Sequence, residues 1–192
     1  MEATWKIIED WLAAKAPQLT KALNPGASQE ALDKLEAMIG TKLPADFTAF
    51  YKVHNGQDRD QDWLLDGEEL LSIERIMEEW EVWNDLLPTF KDDDGKPYTS
   101  KPEAGIKNDW FNPLWIPVTY NGGGDHICID LDPAPGGKVG QMIRLWHDDA
   151  DRHIEAASFT EWISDFTTGL QKGEYVYSKD WGAIINKEEA AL

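Results

Sequence analysis

The hydrophobic period of this chain changes near Pro113, and that change constrains the fold more than any other feature. Upstream, apolar residues recur every three or four positions, which is the spacing of helices packed on one face. Trp5, Ile8 and Leu12, with Trp11 beside them, predict a first helix that ends at Pro17. Ser28 is placed to cap a second, with Leu32, Leu35 and Ile39 on one face and Gly40 closing it. Pro44 suits the first turn of a third helix whose stripe is Phe47, Phe50 and Tyr51 and whose stop signal is Asn55-Gly56. After a short apolar run at Leu70 and Leu71, Ser72 caps a fourth helix with Ile76, Trp80, Trp83 and Leu87 on its inner side. Residues 88–113 read as loop, and "KDDDGKPYTSKPEAGIKND" within them as a mobile insertion.

Downstream of Pro113 the period is two. "LWIPVTY", "HICIDL" and "GQMIRLW" are β-rich runs separated by glycine or proline turns. In the middle run Ile127, Ile129 and Leu131 share one face, and His126, Cys128 and Asp130 share the other. "SFTEW" is a capping box, Ser158 with Glu161, opening a last helix with Phe159, Trp162, Ile163, Phe166 and Leu170 inward. Helices, then a strand meander, then a closing helix predict a single α+β domain with a central, mostly antiparallel sheet flanked by helices. A chain of 192 residues supports one such core.

The segment 120–141, "YNGGGDHICIDLDPAPGGKVGQ", holds six of the fifteen glycines and could be read as a phosphate loop. A Walker loop needs Lys followed by Ser or Thr and then a helix, but Lys138 is followed by Val139 and a strand pattern. A dinucleotide fingerprint needs its glycines between a strand and a helix, whereas "GGGD" lies between two strands. These glycines are turn chemistry.

Charge narrows the partners. Thirty-six acidic residues against eighteen basic ones give a formal −18, a field that repels nucleic acid and anionic membranes and favours a basic protein partner. A single cysteine, Cys128, cannot form an internal disulfide, which fits a reducing compartment. The N-terminus lacks signal-peptide regions, and no run approaches ~18 apolar residues, so a cytoplasmic protein that crosses no membrane is expected.

The acidic loops raise metal chemistry as a question. Asp58, Asp60, Asp62, Asp66 and Glu69 fall at EF-hand positions 1, 3, 5, 9 and 12, but the sharp-turn position normally held by glycine is Trp63. His126, Asp130 and Asp132 could share a strand face, and "WHDDADRH" offers His147, Asp148, Asp149, Asp151 and His153. None matches a zinc signature, there is no G-x-S-x-G elbow, and Cys128 sits in an alternating strand as a small buried thiol would. No metal, no cofactor and no catalytic residue is expected.

One ordered set of motifs carries a resemblance. "LPADFTAFYKVHNGQ", "LLSIERI", "WFNPLWIPVTYNGGGDHICIDLDP", "GKVGQMI" and "SFTEWI" together resemble the SUKH superfamily, in its Smi/Knr-type branch of cell-wall-assembly regulators, over about residues 28–175. The resemblance implies a 28–175 SUKH-like domain; residues 1–27 are expected as an N-terminal helical extension and 176–192 as a tail packed on the domain or trailing from it. It implies structural roles for Leu43 and Pro44 at a helix start, Asn55 and Gly56 at its end, and Trp115 and Pro117 in the first sheet strand. Gly124, Asp125, Asp130 and Pro133 would frame the hairpin, and Gly140 would open the next strand.

Bacterial members of such a family act as immunity proteins against toxins, many of them nucleases or deaminases, and fungal members as adaptors in cell-wall signalling. The leading expectation is a non-enzymatic immunity protein that neutralises a basic toxin through an acidic surface. A cell-wall or signalling adaptor is the alternative, set second because long disordered flanks are expected of it. A metal-dependent hydrolase comes third. The expected contacts are Asp58, Asp60, Asp62, Trp63 and Asp66 on one loop and Asp148, Asp149 and Asp151 on another. Trp63 is either a partner anchor or a core residue.

Overall fold

The computed structural model describes residues 1–191. Helix α1 (Glu2–Lys15) buries Trp5, Ile8 and Leu12 completely, and it stops where Ala16, preceding Pro17, leaves helical dihedrals. Helix α2 (Gln29–Ile39) starts at Ser28, whose Oγ accepts the Ala31 N–H at 3.1 Å, and ends at Gly40 with φ 72°. Helix α3 (Ala45–Tyr51) begins after Pro44 and buries Phe47, Phe50 and Tyr51.

Helix α3 is shorter than the sequence predicts. It ends at Tyr51, not at Asn55-Gly56, because the turn before α2 caps it from outside: Ala27 N–H donates to the Tyr51 carbonyl at 2.8 Å and Asn55 N–H to Pro25 at 3.1 Å. Gly26 lies so close that a Cβ there would sit 2.0 Å from the Lys52 carbonyl oxygen. Asn55 and Gly56 instead lie in the connection that leaves α3. The two-residue strand β1 (Glu69–Leu70) leads into helix α4 (Ile73–Leu86), capped by Ser72, and Asn55 Oδ1 accepts the Ile73 N–H at 2.8 Å.

Of the segment read as a mobile insertion, residues 91–99 are exposed, while the part from Ser100 on is tied down. Its residues Lys101–Pro102 form β2, an edge strand, and Ser100 N–H donates to Asn108 at 2.8 Å. Ile106 is buried, as is the neighbouring Phe111, and these anchors join the segment to a smaller core shared with Trp83 of α4. Strands β3 (Trp115–Pro117), β4 (Thr119–Tyr120), β5 (His126–Asp130), β6 (Gln141–Leu145) and β7 (Asp151–Ala156) complete the strand region. The main sheet has the order β2-β7-β6-β5-β3, antiparallel throughout except for the parallel β2/β7 pair.

Every residue of β5 is buried because both faces of the sheet are covered. Ile127, Ile129 and Met142 meet α3 and helix α5 (Phe159–Lys172) in the main core, where Trp5 stacks on Phe50 at 4.4 Å and Phe159 packs edge-on against Phe47 and Phe50. Each such large apolar side chain contributes about 1.5–3 kcal/mol on burial. Cys128, Ile143 and Leu145 face a smaller core with Trp83, Phe111 and Trp115. The α+β class and the mostly antiparallel sheet are as the sequence predicts.

The capping box of α5 forms with a shift. Ser158 Oγ accepts the Glu161 N–H at 3.1 Å, while Glu161 reaches back to the Ala157 N–H at 2.9 Å, one residue before the cap. After Gly173 (φ 74°), the strands β8 (Tyr175–Ser178) and β9 (Ala183–Asn186) make a hairpin that buries Ala183, Ile184 and Ile185. Among the described residues no helix is long and apolar enough to cross a membrane.

Candidate functional site

The acidic loop 58–66 is built around one buried amide. Gln57 Oε1 accepts both the Leu64 N–H at 2.9 Å and the Leu70 N–H at 3.0 Å, and its Nε2 donates to the Asp62 carbonyl at 2.9 Å. The chain therefore wraps around this side chain, which is 1% exposed. The loop is also docked on the C-terminal hairpin. Trp63 N–H donates to Gly182 at 2.8 Å, Ile184 N–H to Trp63 at 2.9 Å, and Tyr177 Oη to Asp62 at 2.5 Å. Asp66 adopts φ 46° and accepts the Asn186 N–H at 2.9 Å. Burial of its carboxyl against the hairpin pushes it above the ordinary value.

These contacts settle two questions the sequence poses. The five carboxylates at calcium-loop spacing do not converge: Asp62 is held by Tyr177, Asp66 by Asn186, and Glu69 lies buried beside Arg75 Nε at 3.4 Å. Trp63 is half-buried, its ring so near Gly122 that a Cβ there would sit 2.9 Å from it. Asp58 and Asp60 stay exposed at the tip, where Asp58 Oδ1 accepts the Asp60 N–H at 3.1 Å. Sharing a pocket with Trp63, Asp66 and Asn121 is a residue to which sequence reasoning assigned no role: Trp181, in the hairpin turn and 66% exposed. Its one sequence signal is an aromatic set between the turn-forming Asp180 and Gly182.

The second acidic loop, 147–151, is fixed by Asp125 and Arg152. Asp125 Oδ1 accepts both the main-chain N–H and Nδ1 of His147, each at 2.8 Å. Against the upward push of burial, those bonds and one from Asn121 hold the Asp125 carboxyl below its ordinary value. Arg152 is fully buried and donates to the carbonyls of Asp149 (2.6 Å), Asp151 (2.7 Å) and Trp110 (2.8 Å). Burial lowers its guanidinium to about 10. Asp148, Asp149 and Asp151 remain exposed. Asp125, His147 and Asp148 each offer one donor atom within 4.8 Å of the others, but Asp125 and His147 already satisfy one another.

The glycine turn joins the two loops. Asn121 Oδ1 accepts the N–H groups of Gly123 (2.8 Å) and Asp125 (3.0 Å), folding the turn on itself. At one end Gly122 meets the Trp63 ring; at the other a Cβ on Gly124 would lie 3.2 Å from the His147 ring. The two sets of candidate contacts thus flank one turn.

The remaining positions that the resemblance singles out lie as follows. Leu43 and Trp115 are buried, and Pro117 pairs with Cys128 across β3/β5. Buried Asp130 accepts from Gln141 Nε2 at 2.8 Å, its main-chain carbonyl accepts the Gly140 N–H at 2.7 Å, and Pro133 packs on Gly137. Two groups on β5 that could do chemistry are sequestered. Cys128 is fully buried, which pushes its thiol up. Burial lowers His126, whose Nδ1 lies 2.7 Å from the Thr119 carbonyl. Glu68, raised by burial, is held by Thr119 and Arg144.

Comparison with known proteins places this arrangement. The chain matches the SMI1 / KNR4 family (SUKH-1) over residues 26–165. It belongs to that family. It is 28% identical, over 92% of its length, to the cell wall biosynthesis/cell cycle regulator smi1 of Schizosaccharomyces pombe, covering 37% of that protein. It is 24% identical, over 97% of its length, to a glucan synthesis regulatory protein of Neurospora crassa, covering 41%. F-box only protein 3 of Mus musculus is 25% identical over 94% of the chain, covering 36%. The chain thus spans about two fifths of the length of these curated relatives. Relatives named as regulators back the regulatory reading over the immunity reading that the sequence put first. The relatives are themselves longer than the part that aligns.

Proposed function

We propose that this chain is a non-catalytic protein-interaction domain of the cell-wall or signalling-regulator kind, working in the cytoplasm, and that its partner face is the pair of acidic loops joined by the glycine turn. The alignment of more than nine tenths of the chain with proteins named as cell-wall and glucan-synthesis regulators is the observation that carries it. The geometry fits that role. Asp58, Asp60, Asp148, Asp149 and Asp151 are exposed on loops held rigid by Gln57 and Arg152, so little ordering entropy is lost on binding. Exposed Trp181, in the pocket that Trp63 and the glycine-turn residue Asn121 also line, supplies the large apolar contact that interface hot spots favour. The formal −18 draws a basic partner surface and speeds encounter. Asp62, Trp63 and Asp66 join this face to the hairpin, through Tyr177, Gly182, Ile184 and Asn186.

The test is a domain exchange. The aligned region of Schizosaccharomyces pombe smi1 is replaced with this chain, and cell-wall integrity is scored against a null strain. Rescue by the wild-type chain, lost on Asp58→Asn/Asp60→Asn/Asp148→Asn with the fold intact by circular dichroism, is the expected result. Equal rescue by the variant overturns the assigned face, and failure of a folded, expressed wild-type chain counts against the regulatory reading.

A further inference from the structure

The hairpin has a free edge, and the register shows which groups it offers. Tyr175 pairs with Asn186 and Tyr177 with Ile184 in the β8/β9 ladder. The main-chain N–H groups of Asn186 and Ile184 both point away from β8, to Asp66 and to Trp63. In an antiparallel pair, residues opposite one another either exchange their hydrogen bonds or both face outward. The N–H and C=O groups of Tyr175 and Tyr177 therefore face outward from β8, on the side away from β9. Among the described residues these four groups have no hydrogen-bond partner. The edge carries neither a proline nor a bulge, two of the usual devices that blunt one.

That edge borders a groove of about 650 Å³ between α1, the end of α5 and β8. Trp11 and Ile7 line it from α1 and Leu170 from α5. Lys15 and Lys187 also line it, and among the described residues neither makes an ion pair. Its one carboxylate, Asp10, is bonded to Lys6. In a chain of formal charge −18, this groove is lined by two unpaired cations.

We propose that this groove binds an extended acidic peptide segment of a partner, added as a third strand along the outer edge of β8. Its main chain bonds to Tyr175 and Tyr177, an apolar side chain packs on Trp11, and carboxylates meet Lys15 and Lys187. Strand addition of this kind takes affinity from the main chain and specificity from alternate side chains. Lys15 and Lys187 line the groove itself, whereas Asp62, the carboxylate of the acidic loop that reaches this hairpin at Tyr177, is already bonded to the Tyr177 hydroxyl. The proposal rests on the reading of the chain as a protein-binding domain and adds a second surface to it, of opposite preference to the acidic face.

The probe is a short acetylated peptide in which glutamate alternates with valine, added to isotope-labelled full chain and followed by amide NMR. The expected result is saturable shifts at Tyr175 and Tyr177, with slowed exchange of both amides. Affinity should fall about tenfold or more on Lys15→Glu/Lys187→Glu. A peptide with lysine for glutamate should bind more weakly, and one N-methylated along its pairing edge should not bind. These two controls leave the protein unaltered, so misfolding cannot mimic the result. No shift at Tyr175 and Tyr177 with millimolar peptide, equal binding of the lysine peptide, or shifts confined to residues 58–66 overturns the proposal. The domain exchange into smi1 can still succeed in any of those cases, so the two failures are separable.

Discussion

Replacing Gln57 with methionine tests the idea that one side chain shapes the acidic loop. The substitution keeps length and apolar volume but removes an acceptor shared by two buried N–H groups, those of Leu64 and Leu70, and the donor to the Asp62 carbonyl. Each N–H left buried without a partner costs about 1–3 kcal/mol. The Asp62 carbonyl belongs to a half-buried residue and loses an ordinary bond, about 0.5–1.5 kcal/mol. Allowing for some relaxation, the variant should lose about 3–5 kcal/mol, a large share of the ~5–15 kcal/mol typical of a domain. Urea unfolding by tryptophan fluorescence reads this as a lower midpoint at unchanged slope. Hydrogen exchange should show the Leu64 and Leu70 amides opening first. The control is Gln61→Met, at an exposed position in the same loop, which should stay within about 0.5 kcal/mol of wild type. A loss below about 1 kcal/mol for Gln57→Met, or one matched by the control, would mean that the loop does not depend on this amide.

Three other perturbations have defined outcomes. Gly56→Ala should cost well over about 2 kcal/mol, because φ is 62° and the new Cβ would meet the Leu71 carbonyl oxygen at 2.4 Å; Gly40→Ala, at φ 72° with nothing within 4 Å, should lose only the left-handed backbone cost of about 1–2 kcal/mol in the same urea assay. Glu68 is raised by burial, so between about pH 4.3 and its native value the folded state keeps a proton that the unfolded state has lost. Its contribution is fully present below the unfolded value and fades as pH rises through the native one. Glu68→Gln should flatten that part of the stability–pH curve, and an unchanged slope contradicts the assignment. Cys128 should resist a thiol reagent in the native protein and react at once in urea, and fast native labelling would show that its burial is not maintained.

Local signals marked much of the fold. Ser28, Ser72 and Ser158 are caps whose side-chain oxygens accept the N–H three residues on, so three helix starts could be placed from sequence. Strands β3, β5 and β6 are marked by Ile116, by Ile127 and Ile129, and by Met142, Ile143 and Leu145. Strand β7, "DRHIEA", escaped notice because its charged residues hide the alternation, and because fully buried Arg152 breaks the rule that charge faces water. The hairpin β8/β9 was hidden in the tail because Tyr175 and Tyr177 also suit a loose aromatic segment. Of the candidate site, the acidic loops were legible as charge on turns. What holds them was not: Gln57 acts on residues seven and thirteen positions away, and Trp63 on the far hairpin, and no period records contacts of that kind. The end of α3 was misplaced for the same reason, since it is set by residues 25–27 folding back over it.

Whether this domain binds a basic protein partner through its acidic loops is decided by quantitative affinity capture from lysate of the source cells. Wild-type chain and a folded Asp58→Asn/Asp60→Asn/Asp148→Asn/Asp149→Asn variant are compared at low and high salt. Regulatory or wall-synthesis partners that wild type retains at low salt, and that are lost both to salt and to the variant, are the predicted result. Partners held equally by both chains at both salts contradict it, and a single stoichiometric toxin in their place would restore the immunity reading.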